Sequence, residues 1–282
     1  MNHLLTATVV IPTHRRASYL DVALHSIVPQ ADATRAEVLV VSDGPDLPTE
    51  AVTWRHRVRR LELPANSGLN AARNAGVAAA CGELVVFVDD DIEVLDGWLA
   101  ALLEAAAGQP EYEAFGGPII PRLEGGPRAC GQEPPPITAL DYGTQDRDVD
   151  AVWGANMAVR RSAVTRIGPF DPELRGRGDE EEWQIRLRQA GGRVRYVAAA
   201  RLLHRRNRQD SQLGRMALAA YRLGRTARQF DRRKGSVPTL SSELRVLAGS
   251  VWHAGRNGCS YGILFAAHEA GRLREMIAER EG

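Results

Sequence analysis

The feature that most constrains this chain is an apolar segment that runs directly into three consecutive aspartates. Leu84–Val88 is followed without a break by Asp89, Asp90 and Asp91. A continuous apolar run rich in β-branched residues is typical of a strand buried on both faces, as in a parallel sheet. Open α/β sheets bind ligands at the carboxyl ends of their strands. We therefore expect a binding site where the aspartates leave this strand.

The three carboxylates themselves indicate what could bind there. Adjacent carboxylates repel each other and raise one another's pKa unless a cation compensates them. Oxygen ligands of this kind suit Mg²⁺ or Mn²⁺ better than zinc. The alternative is an acidic turn exposed to solvent, and of the two the residues favour the metal site.

Strands and helices alternate through the first part of the chain. This order is typical of βαβ units and predicts a mostly parallel sheet flanked by helices. The expected strands are 7–11, 37–41, 57–63 and 84–88, and the expected helices are 18–28, 69–80 and 98–107.

The second part of the chain is less regular. Residues 116–150 are rich in glycine and proline and predict a strand followed by a long loop, a type of loop that is often functional. A strand at 152–159, a helix at 179–190 and a strand at 193–198 lead to His204. From about residue 206 onward only helices are expected, near 214–231, 241–255 and 261–279.

Composition excludes several classes of protein. The chain has 36 Lys and Arg against 35 Asp and Glu, so its formal net charge of +1 gives no reason to expect a nucleic-acid partner. Cys81, Cys130 and Cys259 are far apart and form no C-x-x-C, so we expect reduced thiols, with no disulfide framework and no zinc site. Neither a signal peptide nor a spanning segment is recognisable, which favours a cytoplasmic protein.

Polar residues come directly after three of the predicted strands. They are Thr13 to Arg16, Ser42 to Gly44, and Asp89 to Asp91. In a parallel sheet these strand ends meet at one edge. The chain has no glycine-rich phosphate loop of the common types, and carboxylates can face a diphosphate only with a divalent cation between them. The sequence thus predicts a nucleotide-diphosphate site bridged by metal.

These segments, in their order, resemble glycosyltransferase family 2. The resemblance extends over roughly residues 7–206 and implies the GT-A fold and a nucleotide-sugar donor. It is carried by residues 9–16, 40–44, 66–76, 87–91, 154–161, 168–171 and 178–183. It implies a catalytic domain over 1–206, with a nucleotide-binding half of about 1–92 and an acceptor-side half of about 93–206, and then a helical C-terminal extension over 207–282.

The resemblance also implies roles for individual residues. Asp89 and Asp91 match the metal-binding D-x-D of the family, with Asp91 the stronger ligand, and His204 matches a histidine that often completes metal or diphosphate binding. The alternative for His204 is a surface residue beside Arg205 and Arg206, which the sequence alone would favour. Asp90 would hydrogen-bond to ribose or to the donor sugar. The residues implied to hold the nucleotide are Thr13, Arg16 and Asp43. Arg73 would help to position the donor or to order the acidic loop.

The catalytic base is expected within the acidic cluster 179–182. The family usually has Glu-Asp here, and the reversed order leaves the identity of the base open between Glu180, which we favour, and Asp179. Acids in the first turn of a helix also stabilise it by capping, so some of them need no further role. Asn156, Trp153 and Trp183 are candidates for the donor and acceptor loop, although aromatic residues there are more often part of a core.

The sequence therefore predicts an inverting glycosyltransferase that depends on Mn²⁺ or Mg²⁺ and acts on a carbohydrate, lipid-linked or small-molecule acceptor. A non-catalytic nucleotide-sugar-binding or scaffold protein is the alternative, and a sugar-phosphate nucleotidyltransferase is a weaker one. The basic amphipathic helix 214–231 allows peripheral association with the inner face of a membrane. In the simpler interpretation, the apolar face of this helix packs on the catalytic domain and its arginines are solvated.

Overall fold

The computed structural model describes residues 6–45, 58–126, 130–131 and 138–281. Its central feature is an eight-stranded sheet with the strand order β3-β2-β1-β4-β9-β6-β10-β8. The first four of these strands run parallel to one another, as the alternating pattern predicted. Their bounds, with those of the intervening helices, are β1 Ala7–Thr13, α1 Ala17–Thr34, β2 Glu37–Ser42, β3 Val58–Glu62, α2 Leu69–Ala79 and β4 Leu84–Val88.

The strand that ends in the aspartates lies in the middle of this sheet. Every residue of β4 has no exposed surface, which confirms the prediction of a strand covered on both faces. β9 pairs antiparallel with β4 on one side and with β6 on the other, so the sheet changes from parallel to mixed at this point. The next elements along the chain are β5 Ile92–Val94, α3 Trp98–Gly108, β6 Ala114–Gly116, β7 Ile119–Leu123, β8 Arg147–Val149 and β9 Asn156–Arg160.

A second, three-stranded sheet has the order β5-β11-β7. The pairing of β11 with β5 is antiparallel and places His204 opposite Ile92, one residue after Asp91. Sequence patterning missed both β5 and β11, because each is short and β11 includes three basic residues. The remaining elements of this part of the chain are α4 Arg161–Ile167, α5 Glu181–Gln189, β10 Val194–Tyr196 and β11 Leu202–Arg206.

One helix is longer than its sequence suggested. α1 continues six residues beyond Val28 and includes Pro29. Proline in a helix interior removes one backbone hydrogen bond and usually ends or bends the helix. Here the burial of Ile27, Val28 and Ala31 on both sides of the proline favours continuation.

The chain divides into two compact units. One lies within Met1–Ile120, Thr138–Glu173 and Asp179–His204, and the other within Pro121–Ile137, Leu174–Gly178 and Arg205–Gly282. The second unit contains the three C-terminal helices, α6 Leu213–Arg233, α7 Leu240–Asn257 and α8 Ser260–Glu281. The proposed functional boundary at residue 206 remains a prediction. No helix within the described residues has the length and apolarity needed to cross a membrane.

Glycines let α6 and α8 approach each other closely. A Cβ on Gly224 would lie 1.9 Å from the carbonyl oxygen of His268, and a Cβ on Gly271 would lie 2.0 Å from that of Tyr221. The sequence pattern predicts Leu223 on the apolar face of α6 and Arg228 on the opposite face, and this is wrong for both residues, because Leu223 is exposed and Arg228 is buried. Arg228 is tolerated there because its guanidinium donates to Glu243 and Glu279.

Candidate functional site

The carboxyl ends of β1 and β4 are joined by a polar network around Asp90. Thr13 Oγ1 donates to Asp90 Oδ2 over 2.7 Å, and Arg16 Nη1 donates to Asp90 Oδ1 over 2.8 Å. Arg16 also donates to Asp91 Oδ2 over 2.7 Å. Burial raises the pKa of Asp90 to about 7, although the charge of Arg16 opposes this shift. Thr13, Arg16 and Asp90 thus form one connected group. This agrees with the prediction that the polar residues after β1 and β4 meet at one edge of the sheet.

Asp89 and Asp91 form a separate cluster with His204. One ligand atom from each of these residues lies within 4.8 Å of the other two. Asp91 and His204 are buried and Asp89 is half-buried. The cluster arises because the antiparallel pairing of β11 with β5 returns the chain to the segment just after β4.

The hydrogen bonding of His204 indicates that this cluster fits a cation. Nδ1 of His204 lies 3.1 Å from the carbonyl oxygen of Thr138, which can only accept, so Nδ1 must carry a proton. Nε2 lies 3.1 Å from Asp91 Oδ1, a buried oxygen with no other hydrogen-bond partner among the described residues. In the neutral imidazole, two lone pairs would face each other across this distance. Either a second proton or a metal ion resolves the conflict.

The two carboxyl groups of this cluster differ in their tendency to ionise. Burial disfavours the charged form of Asp91, but the hydrogen bond to His204 and the charge of Arg16 bring its pKa below the ordinary value. Burial and the neighbouring charge of Asp91 raise the pKa of Asp89. A bound divalent cation would favour the ionised form of both carboxylates, and two carboxylates with one imidazole are donors that Mn²⁺ accepts.

Asp43 has a defined structural partner at the start of α2. Its Oδ1 accepts from the backbone N–H of Ser67 over 2.6 Å, and its Oδ2 accepts from that of Gly68 over 2.9 Å. Gly68 is the N-cap residue of α2 and has a φ of +97°, a conformation that favours glycine. Asp43 therefore fixes the turn before α2, and each carboxylate oxygen retains a second lone pair that a base or ribose could use.

Arg73 links α2 to the acidic cluster. Its Nη1 donates to Asp179 Oδ2 over 2.8 Å and to Asn70 Oδ1 over 2.9 Å. Asn70 in turn donates to the backbone carbonyl of Asp179 over 2.9 Å. A Cβ on Gly154 would lie 2.0 Å from Arg73 Nη2, so only glycine leaves room for the guanidinium in this position. Asn70 and Gly154 were missed as functional candidates, although both lie in segments that carry the family resemblance.

The same contacts give Asp179 and Glu180 different properties. Burial disfavours ionisation of Asp179, yet the charge of Arg73 lowers its pKa overall. Burial and the neighbouring Asp179 raise the pKa of Glu180 well above the ordinary value. Glu180 Oε1 accepts from the backbone N–H of Gly154 over 3.2 Å. These surroundings therefore favour the ionised form of Asp179 beside Arg73 and the protonated form of Glu180.

The structural alternative, in which these acids only stabilise the helix, fits part of the cluster. α5 begins at Glu181, its N-cap residue is Glu180, and no side chain caps it through a hydrogen bond. Glu182, which could have formed a capping box with Asp179, is paired instead with Arg186 over 2.7 Å. Only Glu181 and Glu182 lie in the first turn, where acids favour a helix.

Two of the three predicted loop residues lie in the core. Asn156 has no exposed surface, accepts from Trp98 Nε1 over 2.9 Å and donates to the carbonyl of Ala200 over 2.8 Å. Trp183 is equally buried and packs on Phe170, with the ring centroids 5.2 Å apart. The expectation that they contact donor or acceptor is corrected accordingly, because neither presents surface to a ligand. Trp153 is half-buried and remains a candidate.

Comparison with solved structures identifies the class of fold. The chain is similar to the mannosyltransferase from Pyrobaculum calidifontis in complex with GDP-Man and Mn²⁺, with a TM-score of 0.65 and 15% sequence identity. The alignment covers 99% of this chain and 89% of that one. The fold is therefore the GT-A fold that the sequence predicted.

Sequence comparisons define the family. The profile described as glycosyl transferase family 2 matches residues 8–168, which is more than half of the chain, and the chain belongs to this family. It is 32% identical over 206 residues to the pre-mycofactocin glycosyltransferase of Mycobacterium tuberculosis, with 70% of this chain and 42% of that protein aligned. It is also 26% identical over 174 residues to the inactive polypeptide N-acetylgalactosaminyltransferase-like protein 5 of Macaca fascicularis, with 54% of this chain and 38% of that protein aligned. The chain thus spans less than half the length of these two relatives.

Proposed function

We propose that this chain is a metal-dependent, inverting glycosyltransferase that moves a sugar from a nucleotide-diphosphate sugar to an acceptor hydroxyl. The observation that carries the proposal is the cluster of Asp89, Asp91 and His204, in which Nδ1 of the histidine is tied to a carbonyl and Nε2 faces a carboxylate. In this arrangement the lone pair on Nε2 of His204 and the carboxylates of Asp89 and Asp91 are close to a common centre. It supports a resident divalent cation.

Each group of residues has a place in the proposed reaction. Asp43 and Thr13 lie at the ends of β2 and β1, where a nucleotide would bind, and Arg16 holds Asp90 and Asp91 in position. A divalent cation held by Asp89, Asp91 and His204 would stabilise the negative charge that develops on the departing diphosphate. Arg73 keeps Asp179 ionised and fixed beside Glu180.

Glu180 is the proposed catalytic base. Its carboxylate accepts the proton of the acceptor hydroxyl while that oxygen attacks the anomeric carbon, and the bond from this carbon to the diphosphate breaks. A single displacement of this kind inverts the anomeric configuration. The raised pKa of Glu180 suits the role, because a base works best when its pKa is close to the working pH.

A panel of nucleotide sugars tests the donor site. Thermal unfolding is measured with UDP-, GDP- and dTDP-sugars, each with Mn²⁺ and with a chelator. A ligand at a concentration of about 100 times its Kd stabilises the folded protein by about 2.7 kcal/mol. We expect one nucleotide class to raise the melting temperature in the presence of Mn²⁺ only. If no donor produces a metal-dependent shift, the proposal is wrong.

A non-catalytic binding protein is the second candidate, and one observation keeps it open: a relative that shares 26% identity is named as inactive. The two candidates differ in the fate of the bound donor. A binding protein would show the metal-dependent shift without releasing nucleoside diphosphate from any sugar donor, with or without added acceptors. The glycosyltransferase would release it, with transfer to acceptor or slow hydrolysis by water.

Peripheral membrane association through the helix predicted at 214–231 also remains a proposal. A lipid-linked acceptor would make it useful, but few arginines of α6 are suited to it. Arg228 is buried against Glu243 and Glu279, and Arg225 donates to Glu275 over 2.8 Å. Arg222 is exposed. Arg222→Glu should reduce co-sedimentation with anionic vesicles relative to Arg245→Glu on α7, and equal sedimentation of the two variants would contradict the proposal.

A further inference from the structure

Two of the three cysteines meet a histidine in the second unit, against the expectation from their spacing. Cys130 Sγ lies 3.3 Å from His253 Nε2. The ligand atoms of Cys130, His253 and Cys259 all lie within 4.8 Å of one another. His253 is in the last turns of α7, and Cys259 lies in the turn between α7 and α8. A separation of more than 120 positions along the chain had concealed this cluster.

We propose that Cys130, Cys259 and His253 form a zinc site. Tetrahedral zinc with Zn–S bonds of about 2.3 Å and Zn–N bonds of about 2.0 Å places its ligand atoms about 3.5–3.8 Å apart. The Cys130–His253 separation of 3.3 Å and the 4.8 Å limit for the whole cluster therefore require only small adjustments of side chains. Water completes the tetrahedron at the fourth position.

The backbone between the two α-helices preorganises two of the three ligands. Gly258 adopts a φ of +56°, and its N–H bonds to the carbonyl of Ala254 and ends α7. The N–H of Cys259 also donates to this carbonyl, over 3.2 Å. This left-handed turn at glycine directs Cys259 back towards the last turns of α7, where His253 lies.

A further side chain orients the imidazole. The amide nitrogen Nδ2 of Asn257 lies 3.0 Å from His253 Nδ1, one helical turn along α7. The oxygen and nitrogen of an amide are assigned from their bonding partners, and the zinc site takes the exchanged orientation, in which Oδ1 accepts a hydrogen bond from Nδ1–H. Nε2 then presents its lone pair towards Cys130. Metal-bound histidines commonly donate their other ring N–H to an oxygen in this way.

The surroundings of the cluster favour a neutral metal site. Cys259 is 1% exposed and belongs to an apolar cluster with Met216, Tyr261 and Leu264, against which Cys130 packs. Zn²⁺ with two thiolates and a neutral imidazole has no net charge, which this environment accommodates better than an isolated thiolate. Binding converts Zn²⁺ and two thiols into a zinc dithiolate with release of two protons. The metal would connect the segment around Cys130 to the α7–α8 turn.

Cobalt spectroscopy distinguishes this site from the acidic cluster. The full chain is reduced, stripped of metal and titrated with Co²⁺, and thiolate-to-cobalt charge-transfer absorption in the near ultraviolet reports sulfur ligands only. We expect one equivalent of Co²⁺ to develop this band and one equivalent of Zn²⁺ to displace it. Cys130→Ser and Cys259→Ser should lose most of its intensity, whereas Cys81→Ser, which removes an exposed cysteine outside the cluster, should retain it.

Two further measurements keep the test independent of variants that fail to fold. In the unaltered chain, Zn²⁺ should protect two of the three thiols from alkylation and leave Cys81 reactive. Asn257→Ala should weaken Zn²⁺ binding by about tenfold or more without removing a ligand. The proposal is overturned if the unaltered chain shows no thiolate band, if Cys130→Ser develops the same thiolate band as Cys81→Ser, or if Cys130 and Cys259 are joined by a disulfide in protein purified without oxidant.

Discussion

At the scale of single residues, Arg73 gives two adjacent acids different surroundings. Its 2.8 Å contact with Asp179 lowers the pKa of that carboxyl group, whereas burial and the neighbouring Asp179 raise the pKa of Glu180. The sequence order Asp-Glu could not distinguish them, because the distinction depends on an arginine more than 100 positions earlier. Burial and the neighbouring charges of Arg73 and Asp179 therefore favour Glu180 as the base.

The first prediction concerns the proton acceptor. Glu180→Gln should lower turnover by about 10²–10⁴-fold, because the amide cannot accept the hydroxyl proton. Donor affinity, measured by calorimetric titration, should change little. Glu182→Gln is the matched control. Because Glu182 is paired with Arg186, this variant should leave turnover nearly unchanged. Normal turnover by Glu180→Gln would place the base elsewhere.

The second prediction concerns pH. Glu180 must be deprotonated to act as a base, so the rate should fall as the pH drops through its pKa. Because this pKa is raised, the fall should begin well above the value of about 4.3 that is typical of glutamate. Turnover at saturating donor and metal, measured from pH 5 to pH 9 in folded protein, checks this. A rate independent of pH down to about 5 would contradict an elevated pKa.

At the scale of elements, the sequence predicted β1, β2 and β4 because their apolar runs are continuous. It did not predict the β5–β11 pairing that brings His204 to Asp91, since both strands are too short for a clear pattern. It named the core as the commoner place for an aromatic residue such as Trp183, but it did not foresee that Asn156 is buried, because the family resemblance of that segment suggested a ligand. Tertiary contacts, which a local pattern does not encode, decide these cases.

The third prediction tests the fit between α2 and the loop before β9. Gly154→Ala would place a methyl group 2.0 Å from Arg73 Nη2 and displace the guanidinium from Asp179. We expect a loss of about 1–3 kcal/mol in the free energy of unfolding and a marked fall in turnover. Gly108→Ala, where a Cβ meets no atom within 4 Å, is the control. Equal stability and activity of the two variants would show that Arg73 can move without consequence.

The fourth prediction concerns the helices of the second unit. Glu243 is 2% exposed and accepts hydrogen bonds from Arg228 and Arg272 over 3.0 Å each. Glu243→Gln removes the negative charge between two buried arginines and should cost about 3 kcal/mol in the free energy of unfolding, measured with urea. The exposed substitution Glu104→Gln should cost little. Arg228 also donates to Glu279, and Arg272 also donates to Asp231 over 2.9 Å. A small effect for both variants would mean that these two acids suffice to compensate the arginines.

At the scale of the whole molecule, the chain combines a GT-A sheet with a helical unit that has its own ion-pair network and its own cysteine–histidine cluster. The strand ends that carry Thr13, Asp43 and Asp89 to Asp91 were predictable, because parallel strands bring their carboxyl ends to one edge. The proximity of Cys130 and Cys259 was not predictable, because nothing in their spacing along the chain indicates that the two side chains lie close together. The proposed function rests on the first of these features, and the proposed zinc site rests on the second.

The most direct test of the central claim is a calorimetric titration of the chain with UDP and with GDP, each in Mn²⁺ and in chelator, for the unaltered protein and for Asp91→Ala. We predict that one diphosphate binds in Mn²⁺, that chelator abolishes this binding, and that Asp91→Ala lowers the affinity to the level seen in chelator. Equal affinity with and without metal, or unchanged Mn²⁺-dependent binding by Asp91→Ala, would contradict the account.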